Sequence, residues 1–317
     1  MKRLLILILL SSFLKYGTTQ QYLNILPVYT DYSLWNPAAY SPSGLFNGSV
    51  NYHIDNQGSD AATKLTNIAF HYPFKFRKYA AGANLTRHNF SGLKQTSLEF
   101  GYRYNLSFSD LNSISLGLGG GFHHTTFSKD NLLALSPDDP LIQTDGSSAL
   151  SYNINAGILY RHLFIDGFAS TEERKQILVG FSVNQILSGN QQIYDETFGL
   201  SRRSHIYTLL RYTHPLITGI GTSFYYTNSY ALNYKMNHSF SVNFNFNNVF
   251  DTDIGYNTSG KIFAGAGFAF TELYEDDRLR MKFAWTYDTK SLVQGNQLGF
   301  TISFMYTYDY DYTFHDL

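Results

Sequence analysis

Residues 96–106 read Thr96-Ser97-Leu98-Glu99-Phe100-Gly101-Tyr102-Arg103-Tyr104-Asn105-Leu106. In an extended chain, successive side chains point to opposite faces. Leu98, Phe100, Tyr102, Tyr104 and Leu106 therefore share one face, and Ser97, Glu99, Gly101, Arg103 and Asn105 share the other. A slip of one residue would put Glu and Arg on the apolar face, so this segment specifies its own register.

The same alternation recurs on either side of this stretch. Ile114, Leu116, Leu118 and Phe122 alternate with serines, glycines and His123, and Tyr152, Ile154, Ala156, Ile158 and Tyr160 repeat the pattern. It returns at Ile177 to Val183, Ile206 to Tyr212, Ile220 to Tyr226, Met281 to Tyr287 and Leu298 to Tyr308. At Phe240, Val242, Phe244 and Phe246 the partner face is Ser239, Ser241, Asn243, Asn245 and Asn247. Weaker strands are expected at Phe46 to Ile54, Leu65 to Tyr72, Tyr79 to Thr86, Phe250 to Tyr256 and Ile262 to Phe270. Segments of about ten residues with period two, separated by turns, are the signature of a transmembrane antiparallel β-barrel of outer-membrane type. About fourteen strands follow, an even number, at about 21 residues per strand and connection, which leaves no second domain. Tyr102, Tyr104, Tyr152, Tyr160, Tyr225, Tyr226, Tyr306 and Tyr308 fall near strand ends, where an interfacial girdle is expected. A soluble β-sandwich is the competing all-β architecture.

Composition agrees with a barrel. Charged residues make up 15% of the 317 and aromatics 17%, too apolar a mixture for a disordered chain. Lys and Arg number 23 against 24 Asp and Glu, so no excess of positive charge points to nucleic acid. No cysteine is present, which removes disulfides, thiolate metal sites and cysteine catalysis. Lys2 and Arg3 precede an apolar run from Leu4 to Leu10, with small residues before Gln20. That is the form of a secretory signal peptide, expected over residues 1–20, and its apolar run is too short to span a bilayer as a helix.

Both barrel termini are expected in the periplasm, with short turns there and longer loops outside. Pro73 to Lys78, Ser107 to Asn112, His214 to Leu216 and Asn247 to Asn248 fit the short side; Thr125 to Ala149, Leu187 to Arg202 and Thr227 to Asn237 fit the long side. His162 to Arg174 and Glu272 to Arg278 are charged connections on the periplasmic side, either ordinary solvated turns or docking points for a periplasmic partner.

Several stretches resemble one known family. Gln20-Gln21-Tyr22 followed by Tyr32-Ser33-Leu34-Trp35-Asn36-Pro37-Ala38-Ala39-Tyr40 is similar to the Asn-Pro-Ala motif near the N-terminus of the PorP/SprF family, outer-membrane proteins of the Bacteroidota type IX secretion system. Ile177 through Leu187, Ser204 through Tyr212 and Leu279 through Asp288 resemble three of its strands in order and spacing, and Asp138-Asp139-Pro140 resembles its Asp-Pro turn. Ala39 with Ser41-Pro42-Ser43-Gly44, and Gly295-Asn296-Gln297-Leu298, depart from the family pattern and mark a divergent member. The resemblance implies a multi-pass outer-membrane protein that acts without catalysis. It would bind or anchor a secreted surface protein such as a gliding adhesin, or join the secretion machinery. A passive or substrate-specific transport channel is the alternative.

No catalytic, cofactor-binding or metal-binding set is assigned. His123 and His124 are adjacent, so they face opposite sides of a strand and do not chelate one ion. Ser204, His205 and Asn184 are conceivable members of a hydrolase triad, but Ser204 and His205 are neighbours on opposite faces and no Gly-x-Ser-x-Gly elbow exists. Asp130, Asp138, Asp139 and Asp145 do not have the spacing of a calcium loop and read as turn residues. The expected lumen face, with Asn51, His53, Asn67, His71, Glu99, Arg103, Asn153, Arg161, Asn243 and Asn245, has no dominant sign of charge, so nothing argues for an ion-selective pore. A barrel of this size has an interior wide enough to be open unless something occupies it. Tyr22 to Gly44, rich in Tyr, Trp and Pro, is expected to fold against the periplasmic mouth or into the barrel. The organisation expected is therefore a signal peptide over 1–20, a periplasmic lead-in or plug over 21–44, and an outer-membrane barrel over 45–317. At the C-terminus, Tyr306 to Phe314 continue the alternation like an assembly signal, although the chain closes with His315-Asp316-Leu317.

Overall fold

The alternating stretch at 96–106 lies within one long strand, Leu93–Ser109, in the computed structural model of the protein. The structure describes residues 32–42, 44–55, 62–74, 77–90, 93–127, 147–164, 175–188, 191–192, 199–200, 204–217, 219–231, 236–271, 277–289 and 298–308. In chain order the first seven strands are β1 (Phe46–Asp55), β2 (Thr63–Phe74), β3 (Tyr79–Phe90), β4 (Leu93–Ser109), β5 (Asn112–Phe127), β6 (Ser147–Leu163) and β7 (Gln176–Ser188). Two very short strands, β8 (Gln191–Gln192) and β9 (Gly199–Leu200), pair with each other in a connection that the sequence presents only as loop. Then come β10 (His205–Ile217), β11 (Ile220–Ala231), β12 (Asn237–Phe246), β13 (Phe250–Asn257), β14 (Lys261–Thr271), β15 (Asp277–Asp288) and β16 (Leu298–Tyr308).

β1 to β7 and β10 to β16 form a closed antiparallel barrel of fourteen strands, each pairing with its neighbours in sequence. Closure comes from β1 against β16, with Phe46 opposite Tyr308 and Asn51 opposite Ser303. All five weaker strand expectations are realised, as β1, β2, β3, β13 and β14. The turn between β12 and β13 is set by Asn247 and Asn248, with φ of 50° and 57°. These are the left-handed values a tight hairpin of this hand requires and that Asn tolerates.

Burial runs opposite to that of a soluble domain. Phe100, Leu118 and Trp285 are 54%, 61% and 60% exposed, whereas Asn67, His71 and Arg103 are 0%, 0% and 2% exposed. Large apolar side chains form the outer belt and polar ones line the inside, as a barrel in lipid requires and a β-sandwich does not. At the end carrying both barrel termini, Phe74, Tyr79, Tyr102 and Tyr104 stack on one another, and the Lys78 ammonium lies 5.5 Å from the Tyr104 ring centre. That is the expected girdle. Tyr225 departs from it: the strand parity of β11 turns Tyr225 inward, against Tyr32 with ring centres 6.5 Å apart, and leaves Phe224 outside.

Candidate functional site

Fourteen strands tilted as in other barrels enclose a backbone cylinder roughly 28 Å across, too wide for wall side chains alone to fill. Residues 32–42 lie inside it. The sequence makes this segment compact: Asn36 accepts a hydrogen bond through Oδ1 from the Ala38 amide at 2.9 Å, and Pro37, with no amide hydrogen to satisfy, starts a short 3₁₀ turn over Pro37–Ala39. A second such turn covers Tyr32–Leu34. Ala38, Ala39, Tyr40 and Ser41 are almost wholly buried.

Glycines make the room. On β5, a Cβ at Gly117 would collide with the backbone of Pro37 and Ala38; on β6, one at Gly157 would collide with Oδ1 of Asn36. Gly82 on β3 and Gly101 on β4 admit the Tyr40 ring, which also packs 4.8 Å from His71. Apolar side chains complete the seat. Leu159, Leu178 and Leu209 stand on the inward faces of β6, β7 and β10 and form a small core with Ala38 and Ala39. A residual cavity of about 50 Å³ remains between this core, Trp35 and the wall.

Hydrogen bonds tie the segment to many strands. The Asn36 amide donates to the carbonyls of Ile158 at 3.1 Å and Phe181 at 3.5 Å, and the Ser182 hydroxyl donates to the carbonyl of Trp35 at 2.7 Å. Asn84 on β3 donates to the Ser33 carbonyl at 3.4 Å. Arg103 donates to the carbonyls of Ser41 and Arg77, and Arg161 to that of Pro42 at 3.2 Å. Two guanidinium groups thus grip adjacent peptide carbonyls where the segment leaves the lumen for β1. Trp35 and Tyr207 lie 6.2 Å apart between ring centres, carrying the contact to β10.

Around the segment, wall charges are paired among themselves. Lys282 lies 2.9 Å from Asp251 and 3.3 Å from Asp253, and Asn243 donates to Asp253 at 2.7 Å. Towards the far end, Glu99 accepts from Asn153 and Asn155 at 2.9 and 3.2 Å and faces His123 at 3.3 Å. Asp55 is held by Lys261 and by His53 at 3.1 Å. Asn51, Asn67 and Thr86 form a chain of hydrogen bonds of 3.2 and 3.0 Å across β1 to β3. Ions satisfied in this way tie together strands up to three places apart in the barrel, and among the described residues they present no single-sign constriction.

The residues singled out in the sequence are distributed accordingly. Asn51, His53, Asn67, His71, Arg103, Asn153 and Asn243 are buried on the inward face, and Glu99, Arg161 and Asn245 are part-buried there. His123 points in and His124 out. Asn184 and His205 are cross-strand partners of β7 and β10, but the Ser204 hydroxyl donates to the Gln185 carbonyl at 3.0 Å. Asp130, Asp138, Asp139 and Asp145 lie outside the described residues, as do residues 1–31. The lumen seat itself had a sequence signal: leucines at 159, 178 and 209 interrupt an otherwise polar inward face on adjacent strands.

The family described as type IX secretion system membrane protein PorP/SprF matches residues 18–317, the barrel and its lumen segment together. This chain belongs to the PorP/SprF family. Comparison with curated proteins gives no match. Solved structures similar to this PorP/SprF barrel include the CymD monoaromatic hydrocarbon channel, at 11% identity and a TM-score of 0.55, covering 94% of this chain and 98% of that one. The Pseudomonas putida toluene transporter TodX is similar at 10% identity and a TM-score of 0.52, covering 89% and 94%. At such identities the likeness concerns the fold, which is that of outer-membrane channels. A PorP/SprF barrel of this kind is a protein of the outer membrane. Its family and fold are of non-enzymatic kinds.

Proposed function

We propose that this PorP/SprF protein works by binding: it holds a secreted surface protein, of which a gliding adhesin is one kind, or a component of the secretion machinery, at the outer membrane. Residues 1–20 act as its signal peptide and residues 21–44 as a plug. The observation that carries this reading is the seat for residues 32–42, built from a glycine cradle, three inward leucines and two arginines. A permanently open pore has no use for a wall shaped around its own obstruction. Binding also needs no perturbed acid or base, and the carboxylates of the lumen are used up in bracing strands.

Affinity capture of the tagged protein from gently solubilised outer membranes of its own bacterium, followed by mass spectrometry, tests the proposal. Secretion components or a large surface protein are expected to remain bound. Recovery of the barrel alone, together with steady solute conductance of the intact chain in planar bilayers, would replace this reading with that of a transport channel.

A further inference from the structure

The outward face of the barrel is not uniform around its far rim, the end opposite both barrel termini. Over β2 to β5 that rim is cationic. Lys64 on β2 and Lys94 on β4 both pair in register with Asn89 of β3, and one step nearer the membrane centre Arg87 of β3 lies between Thr66 and Thr96. Thr96 in turn pairs with His124 of β5. All four cationic or titratable side chains are exposed and point outward. From strand spacing, Lys64, Arg87 and Lys94 form a triangle roughly 8 to 10 Å on a side.

Directly below this triangle the same outward face is hydrocarbon: Leu85, Leu98, Phe100 and Phe122 are all exposed there. No Asp or Glu stands on the outward faces of β1 to β6 among the described residues. The acids at this level point inward and are engaged, Asp55 by Lys261 and Glu99 by Asn153 and Asn155. Elsewhere the same rim carries Tyr230, His238, Phe240, Tyr256 and Tyr287, with no Lys or Arg facing outward among the described residues. Lys and Arg stems lie along apolar surface while their charged heads seek the water interface. Among the described residues the heads have no protein counter-ion, and they stand at the upper edge of the apolar belt.

We infer that this arc is a binding site for the phosphate groups of an anionic outer-leaflet glycolipid, whose acyl chains lie against Leu85, Leu98 and Phe122. Arg87 supplies a fork of donors to phosphate oxygens, and Lys64 and Lys94 supply flanking point charges. The lipid would fix the barrel's depth on one side and leave the aromatic arc free.

The intact protein in neutral detergent, titrated with diphosphoryl lipid A, with the same lipid after dephosphorylation, and with inorganic phosphate, tests the site. The wild type is expected to bind the phosphorylated lipid, and inorganic phosphate is expected not to compete at similar concentration. Combined Lys64→Gln, Arg87→Gln and Lys94→Gln should weaken binding on the order of a hundredfold, while unheated gel mobility shows the barrel still folded. Equal binding by wild type and variant would overturn the inference. So would competition by inorganic phosphate as strong as by lipid, or binding of the dephosphorylated lipid as tight as that of the phosphorylated one.

Discussion

Gly117 stands at a mid-strand position where a β-branched residue would ordinarily be preferred. Its Cβ position is taken by the backbone of Pro37 and Ala38, so a side chain there and the lumen segment exclude each other. Gly117→Val therefore separates two effects that usually act together. Strand propensity should improve and the barrel should fold, while residues 32–42 lose their seat. The expected result is normal unheated gel mobility with raised planar-bilayer conductance; a folded variant with wild-type conductance would show that the segment tolerates the intrusion. At this scale the sequence was only half legible. Glycines at 117, 119 and 121 alternate with Leu116, Leu118 and Phe122 as in any barrel strand, and nothing local says that they face a peptide instead of water. Leu159, Leu178 and Leu209 were the informative residues, because apolar side chains on a polar face need a partner, yet their meeting depends on β6, β7 and β10 being neighbours.

Strands were the most legible level, since a period of two is written locally and fixes register wherever one face must meet lipid. Loops were less so, because β8 and β9 pair through two residues each and have no periodicity to read. The β12–β13 hairpin is the clearest case of a turn chosen by backbone conformation. Asn247 and Asn248 both hold positive φ, and the Val249 amide closes the turn onto the Phe246 carbonyl at 3.0 Å. Asn247→Val forces a β-branched residue into the left-handed region, at a cost of about 1 to 2 kcal/mol. Replacing Asn248 with Gly should cost little or add stability, since Gly adopts this conformation freely. Comparing refolding midpoints of the two variants in urea checks this; equal loss in both would mean that the Asn side chains, including the Asn245 bond to the Asn248 amide at 2.9 Å, matter more than φ.

For the molecule as a whole, the question is whether the lumen segment helps hold the barrel up or merely fills it. The wall closes on itself through β1 and β16, so every barrel strand has two neighbours without any help from residues 32–42. A closed ladder in a bilayer leaves no unpaired edge, and that is the main requirement for stability there. Wall charges are likewise braced strand to strand, Lys282 with Asp251 and Asp253, Lys261 with Asp55. By contrast, what the segment satisfies are groups that water can also satisfy: the Asn36 amide, the Ser182 hydroxyl, and the guanidinium groups of Arg103 and Arg161. Among the described residues, Leu159, Leu178 and Leu209, with the rings of Tyr207 and Tyr225, form the apolar wall surface that would lose its cover. Deleting residues 32–42 should therefore leave a barrel that resists unfolding in unheated detergent gels, with a modestly lowered melting temperature, and should open a steady conductance that the full chain lacks. If the deleted chain folds and conducts no more than the full one, the segment is not the plug. If it fails to fold, the glycine cradle and the leucines belong to the folding core, and binding has to be sought on the outer rims instead.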